Sequence, residues 1–591
     1  MIETRRFQIL IFVLVGLGII FLETLQTIPN GSSHYYMIDV GETQIVLNVW
    51  GTLHATGYPL YVILGNIITE IMTLFGMSPV VAPAIVSMFW GYILLGLIYV
   101  LALYITRRPL ISAGLVLVFA LTRSMWIHFI IAEIYTFGLM LQLILLVLAL
   151  WGEPTERRIY WMAFIGGTAV AHHRAAAMMI PALLYATYPF FIANRRRLPR
   201  ILIISLTLGL LGFAQYVYLY LRAGAPWVYG EPGTLDGLWA EFIGREASRF
   251  IGVANSWDAL RANFNLVNDV LIRDLTFPGI VFGVIGLGIG LRTHHRATLT
   301  MILMGVAAYL FHVFVYSDVL SALILMMTFA LAFGWLLLAD VLMKYQPMCY
   351  AVPVVIVAST AGFFLLNHDF LYDLTHDRTG LETIEQLEAA PDGSTVMLAW
   401  GPRYFAASIG QLFLDDLQHI ELVDHKDNYQ PGILTPEYTL FNQPLSWWEA
   451  RLNSPVYLQA AAPFIVQMNT APVLADDAPD GISIAHVDLA CESSRVVLDV
   501  LWQTSDVPQE DLSVFVHGLD AAGNIIGQGD QFAPVYGWRP LTSWLAGEQI
   551  RDIYVIDAEN IVSVRFGLYH ALAEGGFENV LVDEVICDDE A

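Results

Sequence analysis

Residues 37–61 read MIDVGETQIVLNVWGTLHATGYPLY. Within sixteen residues this stretch holds Asp39, Glu42 and His54, and it closes on the turn Gly57-Tyr58-Pro59. It follows the first long apolar segment, residues 7–21. Acids at the end of a membrane helix are costly unless something uses them. The stretch therefore carries two readings together: a segment that crosses a bilayer, and a polar site at its outer edge.

The composition around it supports a polytopic α-helical membrane protein. Of 591 residues, 57% are hydrophobic and only 14% charged, where a soluble chain carries about a quarter. Mean hydropathy is +0.61. The net charge of −25 comes from acids crowded after Asn367, and the only lysines are Lys344 and Lys426. No basic stripe is present to neutralise phosphates, which argues against a nucleic-acid partner. The N-terminus, MIETRR before an apolar run, resembles a signal peptide. The run is too long for one and lacks a small-residue cleavage site, so it reads as an uncleaved first span.

At about 20 apolar residues per helix, the chain has room for roughly eleven spans. They are expected near 7–23, 82–105, 109–123, 130–151, 159–172, 175–193, 201–221, 275–291, 298–316, 320–341 and 348–366. The apolar run 58–76 reads as an interfacial or re-entrant helix. Arginines fall at alternate loops, which predicts a cytoplasmic N-terminus in a multi-pass cell-membrane protein. Residues 37–61 and everything after Asn367 then lie outside. Arg123 and Arg174 sit on the outer side against this trend and need a separate reason. The segment 222–274, rich in Trp, Phe and Arg, predicts amphipathic helices at the interface.

Three domains are expected: a membrane domain at 1–366, a small α/β domain at 367–478 and a β-sandwich at 479–591. The α/β part rests on strands at 395–400 and 420–424 around a helix at 403–414. The sandwich rests on alternating strands at 495–502, 512–518, 549–556 and 561–569. Cys349, Cys491 and Cys587 make neither a disulfide framework nor a metal knuckle. First and last strands of a sandwich can be neighbours, so a Cys491–Cys587 bridge is compatible with the pattern without being dictated by it.

Several groups stand out as candidates for chemistry. Asp39 and Glu42 would face one way on a helical turn, as a general base, a metal-ligand pair or a solvated helix start. His54 beside the Gly-Tyr-Pro turn is a substrate or metal contact, or a structural histidine. Glu133, in Ala132-Glu133-Ile134-Tyr135, lies inside an apolar run and needs a partner. Either Arg123 pairs with it, or it faces the same cavity as Asp39. His172-His173-Arg174 suits phosphate recognition, or Arg174 snorkels to lipid headgroups. Asp318 lines the same cavity or caps a helix. No Walker loop, zinc signature or nucleophile elbow is present, which argues against an ATP-driven pump. A transporter or lipid flippase is the alternative class, but it would keep charges near the midplane, and here the span centres are nearly free of them.

Taken in order, Asp39-x-Gly41-Glu42, His54-Ala-Thr-Gly57-Tyr58-Pro59, Ala132-Glu133-Ile134-Tyr135 and His172-His173-Arg174 resemble the protein O-mannosyltransferase-like branch of the GT-C membrane glycosyltransferases. The resemblance covers roughly residues 5–320. It implies a GT-C-like fold and transfer of a sugar from a polyprenyl-phosphate-linked donor to an extracytoplasmic hydroxyl on a protein, glycolipid or polysaccharide. By resemblance, Asp39 would be the catalytic base, with Glu42 and Glu133 supporting it or holding a divalent cation. Arg174 with His173 would grip the donor phosphate, and His54, Tyr58, Tyr135 and Asp318 would line the substrate site. The C-terminal half departs from the β-trefoil of eukaryotic O-mannosyltransferases and resembles accessory domains beside bacterial members. That leaves the acceptor open.

Overall fold

A lipid-embedded backbone must satisfy its own polar groups, so long apolar segments fold as helices. The computed structural model describes residues 2–245, 252–315, 321–424, 437–440, 445–452, 455–475, 477, 479–571 and 576–587. Two compact units emerge, Met1–Arg378 and Thr379–Ala591.

The first unit begins with α1 (Ile2–Glu23), α2 (Val40–Val49), α3 (Pro59–Leu74) and α4 (Ala82–Thr106). It continues with α5 (Pro109–Ala120), α6 (Arg123–Ile130), α7 (Tyr135–Leu150) and α8 (Glu156–His172). Next come α9 (Ile180–Ala193), α10 (Leu198–Leu211), α11 (Val217–Leu221) and α12 (Leu235–Ile243). The last four are α13 (Trp257–Thr293), α14 (His295–Phe314), α15 (Ser321–Leu342) and α16 (Met348–Thr375). Among the described residues, eight helices are long and apolar enough to cross a membrane, or nine if α5 and α6, bent by 76°, form one span. The chain is thus a multi-pass membrane protein with fewer full-length spans than the eleven expected. The shortfall lies at α5, α7 and α8, with 12, 16 and 17 residues. Each falls short of the ~20 residues a straight crossing takes.

Two other expectations are refined. The apolar run after the Gly-Tyr-Pro turn is α3, 16 residues long with Pro59 in its first turn, a position where proline's missing N–H costs nothing. The interfacial segment becomes α12 and the first half of α13. Helix α13 kinks at Thr276 (φ 61°, ψ 158°), two residues before Pro278, where the ring blocks a regular helical bond.

Among its described residues the second unit carries α17 (Thr379–Leu387), α18 (Pro402–Ile409), α19 (Leu445–Leu452) and twelve strands. Strands β1 (Thr395–Leu398), β2 (Glu421–Asp424), β3 (Glu437–Leu440), β4 (Tyr457–Ala462) and β5 (Ile465–Asn469) form a sheet in the order β2-β1-β3-β5-β4. Strands β1, β2 and β3 run parallel. The sandwich uses β6 (Ile482–Cys491), β7 (Val496–Thr504), β8 (Ser513–Leu519), β9 (Ile525–Gln528), β10 (Gln549–Ile556), β11 (Ser563–Ala571) and β12 (Phe577–Ile586). Its sheets run β10-β7-β6 and β12-β11-β8-β9. The four expected sandwich strands are β7, β8, β10 and β11, each of which buries one face. Strands β6, β9 and β12 lacked a signal because they are exposed or half-exposed nearly throughout, so no inward–outward alternation marks them. Met397, Trp448 and Leu458 of the first sheet region share one buried cluster with Trp502, Trp544 and Phe566 of the sandwich.

Cys491 and Cys587 form a disulfide across a sequence separation of 96 residues. It joins the last residue of β6 to the residue following β12, each strand an outer member of its sheet. Constraining so long a loop stabilises a fold by about 2–5 kcal/mol. Cys491→Ser is expected to lower the stability of residues 379–591 by that amount, read by chemical denaturation with and without reductant. Identical midpoints for the two proteins would show the bond to be energetically silent.

Candidate active site

Helix α2 is short and buried from Val40 to Leu47, and neighbouring backbone holds it. Gln44 Nε2 donates to the carbonyls of Ile28 (3.2 Å) and Val80 (3.1 Å). Asn66 Nδ2 on α3 donates to Val46 O at 3.1 Å, and Asn66 Oδ1 accepts from Trp50 N at 2.9 Å. Asp39 stands at the N-cap without a capping bond and Glu42 lies in the first turn, so both carboxyls leave the same end of the helix.

His54 joins them. Its Nδ1 lies 2.6 Å from Glu42 Oε2, and its backbone N–H donates to Glu42 Oε1 at 3.0 Å. Its Nε2 faces Asp39 Oδ2 at 3.7 Å. Glu42 is fully buried, while Asp39 is 43% exposed. The trio thus runs from a buried acid through an imidazole to an accessible acid. Burial pushes the Glu42 carboxyl up from its usual range. Burial acts to lower His54, but the Asp39 and Glu42 carboxylates outweigh it and raise the imidazole to about 10. Both directions mean that the pair holds its proton tightly.

Asp39, Glu42 and His54 each offer one ligand atom within 4.8 Å of the others, a donor set that suits a divalent cation. A cation would have to displace the proton shared by Nδ1 and Oε2.

The turn after His54 places Tyr58. Gly57 (φ 79°) and Tyr58 (φ 45°) are both left-handed, and a Cβ on Gly57 would meet Leu219 at 2.7 Å. Tyr58 is buried, with its ring edge-on to His54 (5.6 Å) and His172 (5.3 Å) and parallel to His173 (6.4 Å). Thr56 Oγ1 donates to His172 O at 2.7 Å, and Tyr216 O–H donates to Thr56 O at 3.1 Å and Ala171 O at 3.2 Å. These bonds bring the His172–Arg174 stretch to the acidic loop. The segment after α11 adds to the enclosure: Thr52 N donates to Trp227 O (3.0 Å), and the Tyr229 ring lies 6.3 Å from His54.

Glu133 lies in the short connection between α6 and α7, buried to 6% exposure. Its backbone is fixed by Ser87 Oγ and Tyr61 O–H, which donate to its carbonyl at 2.9 and 3.2 Å. Burial raises its carboxyl to about 8, and the negative charge of Asp39 adds to the rise. Glu133 thus lies near enough to Asp39 and His54 for their charges to act on its carboxyl.

The structure corrects the suggested Glu133–Arg123 pair. Arg123 Nε donates to Asn367 Oδ1 at 3.0 Å and the guanidinium stacks 4.4 Å from Phe370, whereas Glu133 Oε2 accepts from Ile134 N at 3.1 Å. That answers why Arg123 breaks the charge trend. Arg174 has its own reason: Nη1 donates to Ile243 O at the end of α12. Tyr135 packs beside His173, 6.5 Å ring to ring. Asp318 lies outside the described residues.

Sequence reasoning left out Ser87, Tyr61, Thr56 and Tyr216, which position the site through bonds to backbone. Ser87 and Tyr61 are isolated hydroxyls in apolar helices and carry no motif, and Thr56 stands in the turn before α3, where nothing in the spacing marks the bond it makes. His172 was visible only as part of its triplet. It buries its ring against Phe137 (5.1 Å) and bonds Ile134 O through Nε2 at 3.2 Å.

Comparisons with known proteins bear on the family and the fold. Residues 39–195 match the profile of the protein O-mannosyl-transferase TMEM260 N-terminal domain. The chain is 24% identical over 275 residues to protein O-mannosyl-transferase tmem260 of Dictyostelium discoideum, a match covering 42% of this chain and 33% of that relative. The chain thus spans about a third of the curated relative's length. In fold it is similar to the crystal structure of ArnT from Cupriavidus metallidurans bound to undecaprenyl phosphate, at TM-score 0.50 and 12% identity, over 78% of this chain and 97% of that one. Over residues 39–195 the chain is thus similar to the protein O-mannosyl-transferase TMEM260 N-terminal domain, and in fold it is similar to ArnT.

Proposed function

We propose that the chain moves a sugar from a polyprenyl-phosphate-linked donor to an acceptor hydroxyl on the extracytoplasmic side. The observation that carries this reading is the accessible Asp39 carboxylate, set against a histidine that a buried glutamate holds in place. The acceptor O–H attacks the anomeric carbon, its proton passes to Asp39, and the bond from that carbon to the donor phosphate breaks. The bonding pair leaves with the phosphate, whose charge Arg174 and His173 would receive. His54 orients Asp39, and Tyr58 and Tyr135 shape the pocket. The name of the Dictyostelium relative favours mannose and a protein hydroxyl. The lipid phosphate held by the ArnT structure favours the same class of carrier. In this reading the N-terminus is cytoplasmic, residues 1–366 are catalytic, and residues 367–478 and 479–591 are extracytoplasmic accessory domains.

The test is transfer in nanodiscs from a panel of radiolabelled polyprenyl-phosphate hexoses to a membrane extract. Label is expected in the acceptor from one donor. No transfer from a folded protein with any donor would reject the reading.

Glu133 gives a second check. A carboxyl that titrates at about 8 is protonated at pH 7 and becomes anionic above pH 8. Glu133→Gln imitates the protonated form, so transfer at pH 7 is expected to stay within about threefold of wild type. The wild-type rate should fall as pH rises through 8, and the variant should lack that step. An inactive variant at pH 7 would mean that Glu133 works as a carboxylate.

A further inference from the structure

The sandwich sheet β12-β11-β8-β9 has one face in the core and one turned away from it. Cross-strand partners share a face. Tyr569 stands opposite Ser513 and Asn579, Gly567 opposite Phe515 and Val582, and Arg565 opposite His517 and Glu584. Alternation puts Val514, Val516, Phe566 and Leu568 on the other side, where they are buried in the core. The first set therefore makes up the face turned away.

That face carries a strip of rings. Phe577, the first residue of β12, lies edge-on to Tyr569 at 6.0 Å. Tyr569 lies 6.3 Å from Phe515, and Phe515 lies 5.3 Å from His517. A small residue leaves room for them: a Cβ at Gly567 would meet the Leu581 carbonyl and, at 3.0 Å, the Phe515 ring. Phe515 is buried and forms the floor, Tyr569 is half-buried, and Phe577 is 66% exposed. A further ring, Phe532, is 90% exposed one residue past the bridge between Gln531 and Val514. Alternation from that bridge places it on the side of Ser513, beside Tyr569. Exposed apolar groups gathered in this way mark a binding surface.

The strip continues into polar pairs. Arg565 Nε donates to Glu584 Oε2 at 3.0 Å, and His517 Nε2 lies 3.4 Å from Asp530 Oδ1. Same-face residues follow one another every ~7 Å along a strand, so Arg565 stands about 14 Å from Tyr569. Both pairs are partly open to solvent and keep donors and acceptors to offer.

Charge narrows the occupant. Residues 479–591 hold four arginines and no lysine against twenty acids, and the arginine on this face is already paired. Such a surface repels nucleic acid, acidic polysaccharide and anionic lipid alike. The core of a protein interface is depleted of charge, whereas here ion pairs extend the strip of rings. An uncharged sugar chain suits both halves. Its C–H faces pack on aromatic rings, and its hydroxyls bond the polar pairs.

We propose that this face of β12-β11-β8-β9 binds a neutral glycan, with Tyr569 and Phe577 against the sugar rings and the Arg565–Glu584 and His517–Asp530 pairs bonding hydroxyls. The site lies wholly within the second unit. It does not rest on the transferase reading.

The test is calorimetric titration of the full chain in nanodiscs with three uncharged hexasaccharides, cellohexaose, maltohexaose and mannohexaose. Thermal unfolding serves as a control for folding. Saturable binding of at least one of them is expected. Tyr569→Ala and Phe577→Ala should each weaken it about fivefold. Leu545→Ala, exposed in the segment before β10 of the other sheet, should bind within about twofold of wild type. Phe577 is exposed enough for its truncation to leave the fold intact, so it carries the comparison should Tyr569→Ala unfold. No saturable binding of any hexasaccharide would overturn the proposal, as would wild-type affinity in both ring variants. Preferential binding of polygalacturonate or of phosphatidylglycerol vesicles would overturn it too. The readout involves no sugar transfer, so failure of the transferase reading and failure of this one are distinguishable.

Discussion

Asp39→Asn is expected to lower sugar transfer about a thousandfold, the middle of the range for losing a general base, with folding and membrane insertion intact. Asparagine keeps the size of the side chain and cannot take the acceptor's proton. Little stability is at stake, because the Asp39 side chain is 43% exposed and caps no helix bond, and surface changes away from packed features usually cost under about 0.5 kcal/mol. Initial rates with a saturating donor, together with unfolding curves for both proteins, separate the two effects. Transfer within about tenfold of wild type would remove Asp39 from the role of base.

His54→Ala is expected to damage the fold as well as the reaction. Glu42 is fully buried and both its oxygens are taken by His54. The backbone bond survives the substitution, but the imidazole is lost. Removing one partner of a buried ion pair costs about 3–5 kcal/mol, because the other charge is left without compensation. The double variant Glu42→Gln/His54→Ala removes that charge and should recover most of the loss, a coupling that a double-mutant cycle measures. A double variant less stable than His54→Ala would show that Glu42 is held by something other than the histidine.

The same pair sets a pH dependence. His54 has a usual value of 6.5 and is raised to about 10 in the folded chain. The folded state therefore holds the proton more tightly. Its contribution is fully present below pH 6.5 and is lost as pH rises through about 10. Wild-type stability should decline across that window, and the double variant should show a shallower slope.

Some of this was legible in the sequence for local reasons. A scarcity of charge is enough to place a chain in lipid, because each unpaired charge in hydrocarbon is expensive. The acids of Asp39-x-x-Glu42 share a helical turn by their spacing alone. Strands β7, β8, β10 and β11 were readable because each buries one face and alternation records it. The same logic hid β6 and β12, which bury neither face consistently.

What only the tertiary structure decided is which of these groups meet. Nothing in the spacing says that His54 bonds Glu42 rather than a ligand, or that Arg123 turns to Asn367, 244 residues on, instead of to Glu133, ten residues on. Arg174 reaches the Ile243 carbonyl, and Cys491 joins Cys587, through contacts between distant segments. Sequence determined the environment each side chain must live in, since solvation depends on composition and local period. Partnership depends on how helices and sheets pack around the bend after α5 and the kink in α13, and that geometry exists only once the chain has folded.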